Sequence, residues 1–399
     1  MAADIDILVV DDTVTYRQIL SKLVAEIEGT HLVGTASNGK IAFSRIALTN
    51  VDLVLLDMYM PVMDGLETLD AIKKEYPHIE VIMLSAFDEG NAKLTVKALE
   101  KGALDFIPKP SGGTMEENIS KLRTALFPLM SLVKTRKFSR QARRISIPDD
   151  NRMKRPLPQK IAKTFKDIVF KPPTLTPAPT PAPAHDVKVF ERPKIPIRKN
   201  KLMTQFDVVA IGVSTGGPNA LMKVIPALQD QFPVPILAVQ HMPPMFTASL
   251  AERLDKLSSL RVVEGSEGEI VQKGHMYIAP GGRHMIVKKG ANGLFISLLD
   301  TEPVNSCRPA VDVLFHSILS LYGGNVLTVI MTGMGNDGAN GVNAIRQRGG
   351  YSIIQDEESS VVWGMPGAVA KANDADEIVL LDDIAGRIDE LVRKGQGRC

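Results

Sequence analysis

The sequence predicts an α/β protein with two doubly wound parallel-sheet domains joined by a long linker. Short apolar runs alternate with helix-like segments over residues 1–126, and the same alternation returns over residues 205–395. This alternation is typical of βαβ units with parallel strands. Residues 127–204 interrupt it, and a chain of 399 residues is longer than one hydrophobic core usually serves.

The N-terminal domain shows five strand-like runs, namely IDILVV, HLVGTA, VDLVLLD, VIMLSA and DFIPK. Between them, segments such as TYRQILSKLVAEI and GNAKLTVKALEKG place apolar residues at helical spacing. Five successive βα units predict an open, doubly wound sheet.

The C-terminal domain carries continuous apolar runs near residues 207, 236, 327 and 352, as buried parallel strands do. The segment HMYIAPGGRHMIVKKGANGLFISLL instead shows short strands separated by glycine turns. The pattern predicts a Rossmann-like sheet with an inserted β-hairpin region.

The linker differs from both domains in composition and charge. From Lys134 to Lys171 thirteen Lys and Arg face three Asp, a balance of +10, so the rest of the chain sums to 2 − 10 = −8. The following KPPTLTPAPTPAPAHD is rich in Pro, Ala and Thr, and predicts an extended spacer.

The sequence also predicts a cytoplasmic protein. It has only two cysteines, its N-terminus does not resemble a signal peptide, and none of its apolar runs is long enough to span a membrane.

Carboxylates follow two strands of the first predicted sheet. Asp11 and Asp12 end the first strand, Asp57 ends the third, Ser85 ends the fourth and Lys109 follows the fifth. The carboxyl ends of parallel strands meet at one edge of a sheet, where ligands bind. We expect Mg²⁺ to relieve the repulsion of these acids, with Asp12 and Asp57 as metal ligands. Asp57 is then the phosphoryl acceptor, and Ser85 and Lys109 contact the phosphoryl oxygens.

A second candidate site follows strands of the second sheet. Gly212–Gly216 reads G-V-S-T-G after an apolar strand, which predicts an exposed Ser214 on a sharp turn. His241 follows PILAVQ, and Asp337 follows VLTVIM. The three residues fit the roles of nucleophile, base and orienting acid, with the amides near Thr215 and Met334 as oxyanion donors.

Several of these residues also allow a structural interpretation. Glycine turns after strands also bind phosphate, so the serine motif alone is weak. His275, His284 and His316 are expected to be packed or surface residues. Cys307 has no strand-end setting or evident base, which favours a partly buried thiol over a nucleophile.

The first 125 residues or so resemble response-regulator receiver domains in Asp-Asp, DMYMPVMDG, MLSA and Lys109-Pro110. Residues 207–393 resemble the catalytic domain of the protein-glutamate methylesterase family. That resemblance rests on GVSTGGP, QHMPPMFTASLAERLD, YIAPGGRHM, RPAVDVLFHS, LTVIMTGMGNDGANG and QDEESSVVWGMPGAV. Val213 stands where the family usually has alanine, and the linker is unusually long and basic.

The resemblance implies a phosphorylation-activated serine hydrolase. Its substrates would be glutamate γ-methyl esters and certain glutamines of methyl-accepting chemoreceptors, and a chemotaxis-type histidine kinase would be the phosphodonor. The esterase reaction itself would need no cofactor. Before phosphorylation the receiver is expected to cover the triad. Arg283 or Arg308 would orient the acidic receptor surface, and Lys109–Pro110 would be a cis peptide.

Two alternative functions remain open from the sequence. A non-catalytic response regulator could bind nucleic acid through its basic linker, although that stretch lacks interleaved aromatics and a helix-turn-helix pattern, so no nucleic-acid partner is expected. A serine hydrolase could also act on small esters or amides, in which case free methyl esters would compete with receptor.

Overall fold

The computed structural model of the chain describes residues 4–145 and 205–396. The Pro-rich segment KPPTLTPAPTPAPAHD, and with it the predicted spacer, lies outside the described residues.

The N-terminal domain is built on a parallel sheet of five strands in the order β2-β1-β3-β4-β5. The strands are β1 (Ile5–Val10), β2 (Thr30–Ala36), β3 (Leu53–Asp57), β4 (Glu80–Ser85) and β5 (Asp105–Pro108). The helices are α1 (Val14–Glu26), α2 (Gly39–Ile46), α3 (Gly65–Glu75), α4 (Glu89–Glu100) and α5 (Met115–Ile145). This order is doubly wound, as the sequence predicted.

Polar caps fix where three of these helices begin. The side chains of Asn38, Asp64 and Asp88 accept hydrogen bonds from the first-turn amides of α2, α3 and α4. Asp64 and Glu67 form a capping box at the start of α3. Each cap satisfies an amide that has no partner within its helix, and so holds the loops at the sheet edge in place.

Helix α5 continues well past residue 126, where the sequence analysis places the domain boundary. Leu129, Met130 and Val133 are buried in the N-terminal core. Further along, the Lys137 ammonium lies 2.7 Å from an oxygen of Asp52. The helix therefore packs on the N-terminal domain as far as Lys137, and this part of it includes the first cations of the basic stretch.

The C-terminal domain contains a parallel sheet of seven strands in the order β14-β13-β12-β6-β7-β9-β8. These strands are β6 (Val208–Val213), β7 (Ile236–Gln240), β8 (Arg261–Glu264), β9 (His275–Ile278), β12 (Val326–Ile330), β13 (Tyr351–Gln355) and β14 (Glu377–Val379). The helices are α6 (Gly217–Val224), α7 (Phe246–Leu257), α8 (Val311–Tyr322), α9 (Ala339–Gln347), α10 (Met365–Lys371) and α11 (Leu381–Gln396).

The inserted hairpin is confirmed as an antiparallel pair, β10 (His284–Gly290) and β11 (Gly293–Leu299). The preceding HMYI forms β9 and joins the main sheet instead. Strand β14 was not predicted, because three residues are too few to show a period.

The expected cis peptide at Lys109–Pro110 is wrong, since that bond is trans. Within the described ranges, the cis peptide bond joins Arg308 and Pro309.

The two domains contact each other through β5 and α4 on one side and α7 on the other. The rings of Phe106 and Phe246 stack with centroids 4.5 Å apart. Two ion pairs flank this stack, from Arg253 to Glu100 at 2.5 Å and from Lys93 to Glu252 at 3.0 Å. Val361 and Val362 of the C-terminal domain pack against the N-terminal core.

In residues 4–145 and 205–396, no helix has the length and apolar character needed to cross a membrane.

Candidate active site

Ser214 lies on a tight turn between β6 and α6. Its amide donates to the carbonyl of Thr332 at 3.0 Å, and the amide of His241 donates to Val213 at 3.1 Å. Gly216 has φ +75°, and a Cβ there would lie 2.5 Å from Val361. Only glycine adopts this conformation without cost in so little space, so the turn depends on it.

His241, which follows β7, is held by Asp337 of the loop between β12 and α9. Its Nε2 lies 2.8 Å from the Asp337 Oδ2. Because an ionised carboxylate only accepts hydrogen bonds, Nε2 must carry the proton. The neutral ring then has its lone pair on Nδ1, which makes Nδ1 the nitrogen available as a base.

Asp337 accepts several further hydrogen bonds. Asn305 Nδ2 donates to it at 2.8 Å, and the first amides of α8, from Val311 and Asp312, donate at 2.6 and 3.1 Å. Burial raises the pKa of this carboxyl, but the hydrogen bonds from His241 and these donors outweigh burial and lower the pKa. The N-terminus of a helix also favours negative charge. Asp337 is therefore held ionised.

The environment of His241 stabilises the imidazolium, so the neutral ring that can act as a base is the minor form below about pH 9. Burial lowers the pKa of the ring, but the hydrogen bond to Asp337 and the nearby thiol of Cys307 outweigh burial and raise the pKa to about 9. The same interactions would stabilise the imidazolium that forms when His241 accepts a proton.

The hydroxyl of Ser214 and the imidazole are not hydrogen-bonded to each other in the described part of the chain. Nδ1 of His241 instead lies 3.5 Å from Sγ of Cys307. The expectation that Cys307 has no base nearby is therefore wrong, because a loop brings the thiol to the catalytic ring. Ser214 and His241 directly follow paired residues of β6 and β7, so they occupy neighbouring positions at the sheet edge.

The two predicted oxyanion donors lie in loops beside Ser214. In the residues the structure describes, the amides of Thr215 and Met334 have no protein acceptor. Gly333 lets the second loop come close, because a Cβ there would lie 2.8 Å from the Cβ of Ser214. The serine's own amide is bonded to Thr332 and is not available.

Both predicted substrate-orienting arginines have partners within the protein. Arg283 makes two hydrogen bonds of 2.8 Å to Asp300, and Arg308 donates to the carbonyl of Thr301 at 2.9 Å. Arg308 remains exposed on the same loop as Cys307.

The other histidines lie outside this group. Buried His284 is bonded to the Glu302 carbonyl and the Ala310 amide. His275 lies 3.1 Å from the Lys273 carbonyl, and His316 is exposed on α8.

The acidic pocket forms at the carboxyl edge of the N-terminal sheet. The Lys109 ammonium lies 2.6 Å from Asp57 and 2.8 Å from Asp11, both of which are buried. Burial raises the pKa of Asp57 to about 6, even though Lys109 opposes the shift. Ser85 is buried and accepts a hydrogen bond of 2.7 Å from Thr95.

The donor set of this pocket fits Mg²⁺. One carboxylate oxygen from each of Asp11, Asp12 and Asp57 lies within 4.8 Å of the others. All three are hard oxygen ligands, and exposed Asp12 leaves room for the waters that Mg²⁺ retains.

Sequence reasoning missed several residues that support these sites. Asn305 and the start of α8 hold Asp337. The Gln240 amide donates to the carbonyls of Ser214 and His241. The ring of Tyr16 faces the Lys109 ammonium, with its centroid 4.7 Å from Nζ. Of these residues, Gln240 carried a signal in the sequence, because it is a polar residue at the end of the apolar run PILAVQ.

Comparisons with known proteins match both domains. Residues 7–120 match the response regulator receiver domain family, and residues 209–388 match the CheB methylesterase family. A protein-glutamate methylesterase/protein-glutamine glutaminase of Desulfotalea psychrophila is 40% identical over 97% of this chain and 98% of its own length. The protein of the same name from Bacillus subtilis is 37% identical over 98% of this chain and 99% of its own.

Among solved structures, the CheB methylesterase catalytic domain of Thermotoga maritima is 42% identical. It covers 47% of this chain and 100% of its own, with a TM-score of 0.46.

Proposed function

Because this chain belongs to the protein-glutamate methylesterase family, we propose that it demethylates glutamate γ-methyl esters, and deamidates certain glutamines, on chemoreceptors. The relatives that span the whole chain carry both activities in their names. The observation that carries the proposal is the His241–Asp337 pair at 2.8 Å beside the Ser214 turn.

The reaction follows from the tautomer that Asp337 imposes. Ser214 Oγ attacks the ester carbonyl and Nδ1 of His241 accepts its proton, while the amides of Thr215 and Met334 bind the oxyanion. The imidazolium then protonates the departing methoxide, which leaves as methanol. Water, deprotonated by Nδ1, hydrolyses the acyl-enzyme and restores the glutamate. A glutamine amide reacts in the same way and releases ammonia.

Phosphorylation of Asp57 is proposed to control access to this site. Asp105 of β5 lies near Thr215, the residue after the nucleophile. Burial raises the pKa of the Asp105 carboxyl, and the Thr215 side chain lowers it by a smaller amount. Phe106 stacks on Phe246 beside it. In this arrangement the N-terminal domain contacts the serine turn, which supports a docked, inhibited state.

The phosphodonor is proposed to be a sensor histidine kinase. Asp12 and Asp57 would hold Mg²⁺, which neutralises charge on the incoming phosphoryl group when bound. A phosphoryl group adds roughly two negative charges beside Lys109 and Ser85. Shifting the docking equilibrium tenfold requires only about 1.4 kcal/mol.

The test is methanol release from membranes that contain methylated cognate receptor, with and without acetyl phosphate and Mg²⁺. We expect the wild-type chain to release methanol faster with the phosphodonor, and Asp57→Asn to lose that stimulation. Ser214→Ala should release none. Ser320→Ala is the matched control, since this exposed serine donates to the Ser317 carbonyl of the same helix, α8.

Release by Ser214→Ala at the wild-type rate would overturn the assignment of the nucleophile. Full stimulation of Asp57→Asn would overturn the regulatory half. Efficient competition by free glutamate methyl ester would indicate a hydrolase of small esters instead.

A further inference from the structure

A thiol lies at the one nitrogen of His241 that Asp337 leaves free. Sγ of Cys307 is 3.5 Å from Nδ1, and both side chains are only partly buried. One donor atom from each of His241, Cys307 and Asp337 lies within 4.8 Å of the others. Thiol and imidazole at this spacing are a donor set that thiophilic metal ions select.

The distance itself matches a tetrahedral ion. With Zn–S of about 2.3 Å, Zn–N of about 2.0–2.1 Å and a tetrahedral angle, the two donors should be roughly 3.5–3.6 Å apart. The observed distance of 3.5 Å between Sγ and Nδ1 matches this separation. Asp337 supports the arrangement through the other ring nitrogen, Nε2, because metal-binding histidines usually donate their other N–H to a carboxylate.

The thiol is positioned by a rigid turn. The Val304 and Cys307 backbones exchange hydrogen bonds of 3.1 and 2.9 Å across Asn305 and Ser306, whose φ angles are +52° and +62°. Positive φ at both central residues is the tight two-residue turn. The Asn305 side chain ties this turn to Asp337 and Asp312. The donors are therefore already in place before any ion binds.

We propose that Cys307 and His241 form a binding site for a thiophilic divalent cation of the Zn²⁺ type, and that this cation reversibly inhibits the enzyme. Two protein ligands leave further positions for water, which suits an exchangeable ion rather than a structural one. The bound ion occupies the lone pair of Nδ1, so His241 can no longer accept the proton of Ser214. Binding does not depend on the proposed function, whereas inhibition rests on it.

Cobalt titration of the full-length protein tests binding without reference to activity. Co²⁺ substitutes for Zn²⁺ and, when bound to a thiolate, gives a near-ultraviolet sulfur-to-metal charge-transfer band. The protein is kept reduced and metal-free beforehand, with both thiols confirmed by titration. We expect one equivalent to develop the band in the wild-type chain, and Zn²⁺ to displace it.

Matched variants locate the site. The charge-transfer band should be lost in Cys307→Ser, Cys307→Ala and His241→Gln. Cobalt affinity should fall by more than about tenfold in each, because even residues that only hydrogen-bond to a metal ligand cost about that much when they are replaced. Cys399→Ser removes the other cysteine and should retain the band. Asp57→Asn should also retain it, because the acidic pocket offers only oxygen ligands. No band in the reduced wild-type chain, or an undiminished band in the folded Cys307 variants, would overturn the site.

Inhibition is then measured as the ratio of methanol release with and without added Zn²⁺ for each variant. We expect a chelator-reversible loss of activity in the wild-type and Cys399→Ser chains that is absent from Cys307→Ser. Equal inhibition of all three would overturn the inhibitory role even if cobalt binds. A wild-type chain that binds cobalt through Cys307 but never releases methanol would count against the proposed function alone.

Discussion

Replacing Phe106 by alanine should activate the enzyme without phosphorylation. Phe106 follows Asp105 in β5, is 8% exposed and stacks on the fully buried Phe246 of α7. A second, more distant ring, that of Phe87, lies 6.2 Å from Phe246. Truncation at Phe106 therefore removes the central aromatic contact between the domains.

The size of the effect follows from the contact. A stacked aromatic pair contributes about 0.5–1.5 kcal/mol beyond the area it buries. Complete burial of a Phe side chain adds about 1.5–3 kcal/mol, and part of this burial lies within the N-terminal domain itself. We take about 1–3 kcal/mol as the loss of docking free energy, which weakens docking roughly 5- to 150-fold. Basal activity should rise until the open state predominates.

The assay is methanol release from methylated receptor membranes without phosphodonor. Phe43→Ala is the matched control, because its ring packs edge-on against Tyr76 inside the N-terminal domain, with centroids 5.6 Å apart. That variant should keep the low basal rate. If folded Phe106→Ala also keeps the wild-type basal rate, the stack does not hold an inhibited state and the reasoning fails.

Three further predictions concern single contacts. Burial raises the pKa of Asp105 to about 6 from 3.8, so the docking it supports is present at low pH and is lost as pH rises through about 6. Asp105→Asn stays neutral at every pH and should keep its docking, whereas the wild-type chain loses docking and becomes more active above about pH 6. The ratio of the variant's unstimulated rate to the wild-type rate should therefore fall as pH rises through about 6, by up to about 100-fold for a two-unit shift. Asn305→Ala removes a hydrogen bond to Asp337 and should lower kcat about tenfold with little change in KM, measured by steady-state methanol release. Arg346→Ala leaves buried Asp376 without its guanidinium partner at 2.6 Å, and should lower the free energy of unfolding by about 3–5 kcal/mol in urea titrations.

Local periodicity was enough to predict most of the fold. Strands β3, β4, β6 and β12 have continuous apolar runs, because parallel strands are covered on both faces. Strand ends then indicated the site residues, since Ser214 and His241 directly follow β6 and β7. The length of α5 was not predictable in the same way, because its mostly polar continuation resembles linker composition.

Contacts made by loops escaped the sequence for a physical reason. Cys307 and Asn305 lie in an irregular segment between β11 and α8, where no period relates a residue to a position in space. Their approach to His241 and Asp337 depends on a two-residue turn and on the start of α8. A thiol judged by its strand context alone therefore looked inert, although the fold places it at the catalytic ring.

Strand β5 connects the acidic pocket around Asp57 to the contact between the two domains. Lys109, which binds Asp57 and Asp11, directly follows this four-residue strand. At its other end Asp105 lies near Thr215, and Phe106 stacks on Phe246. At about 3.3 Å per residue, the phosphoryl acceptor and the docking contact are linked through only some 13 Å of extended backbone. A new charge at Asp57 must redistribute the ion pairs of Lys109, and any resulting shift of β5 moves the residues that contact the serine turn. If β5 transmits the effect of phosphorylation, Phe106→Ala should lose most of the phosphodonor stimulation of methanol release that Asp57→Asn also loses. The double variant should then show no larger loss of stimulation than Asp57→Asn alone.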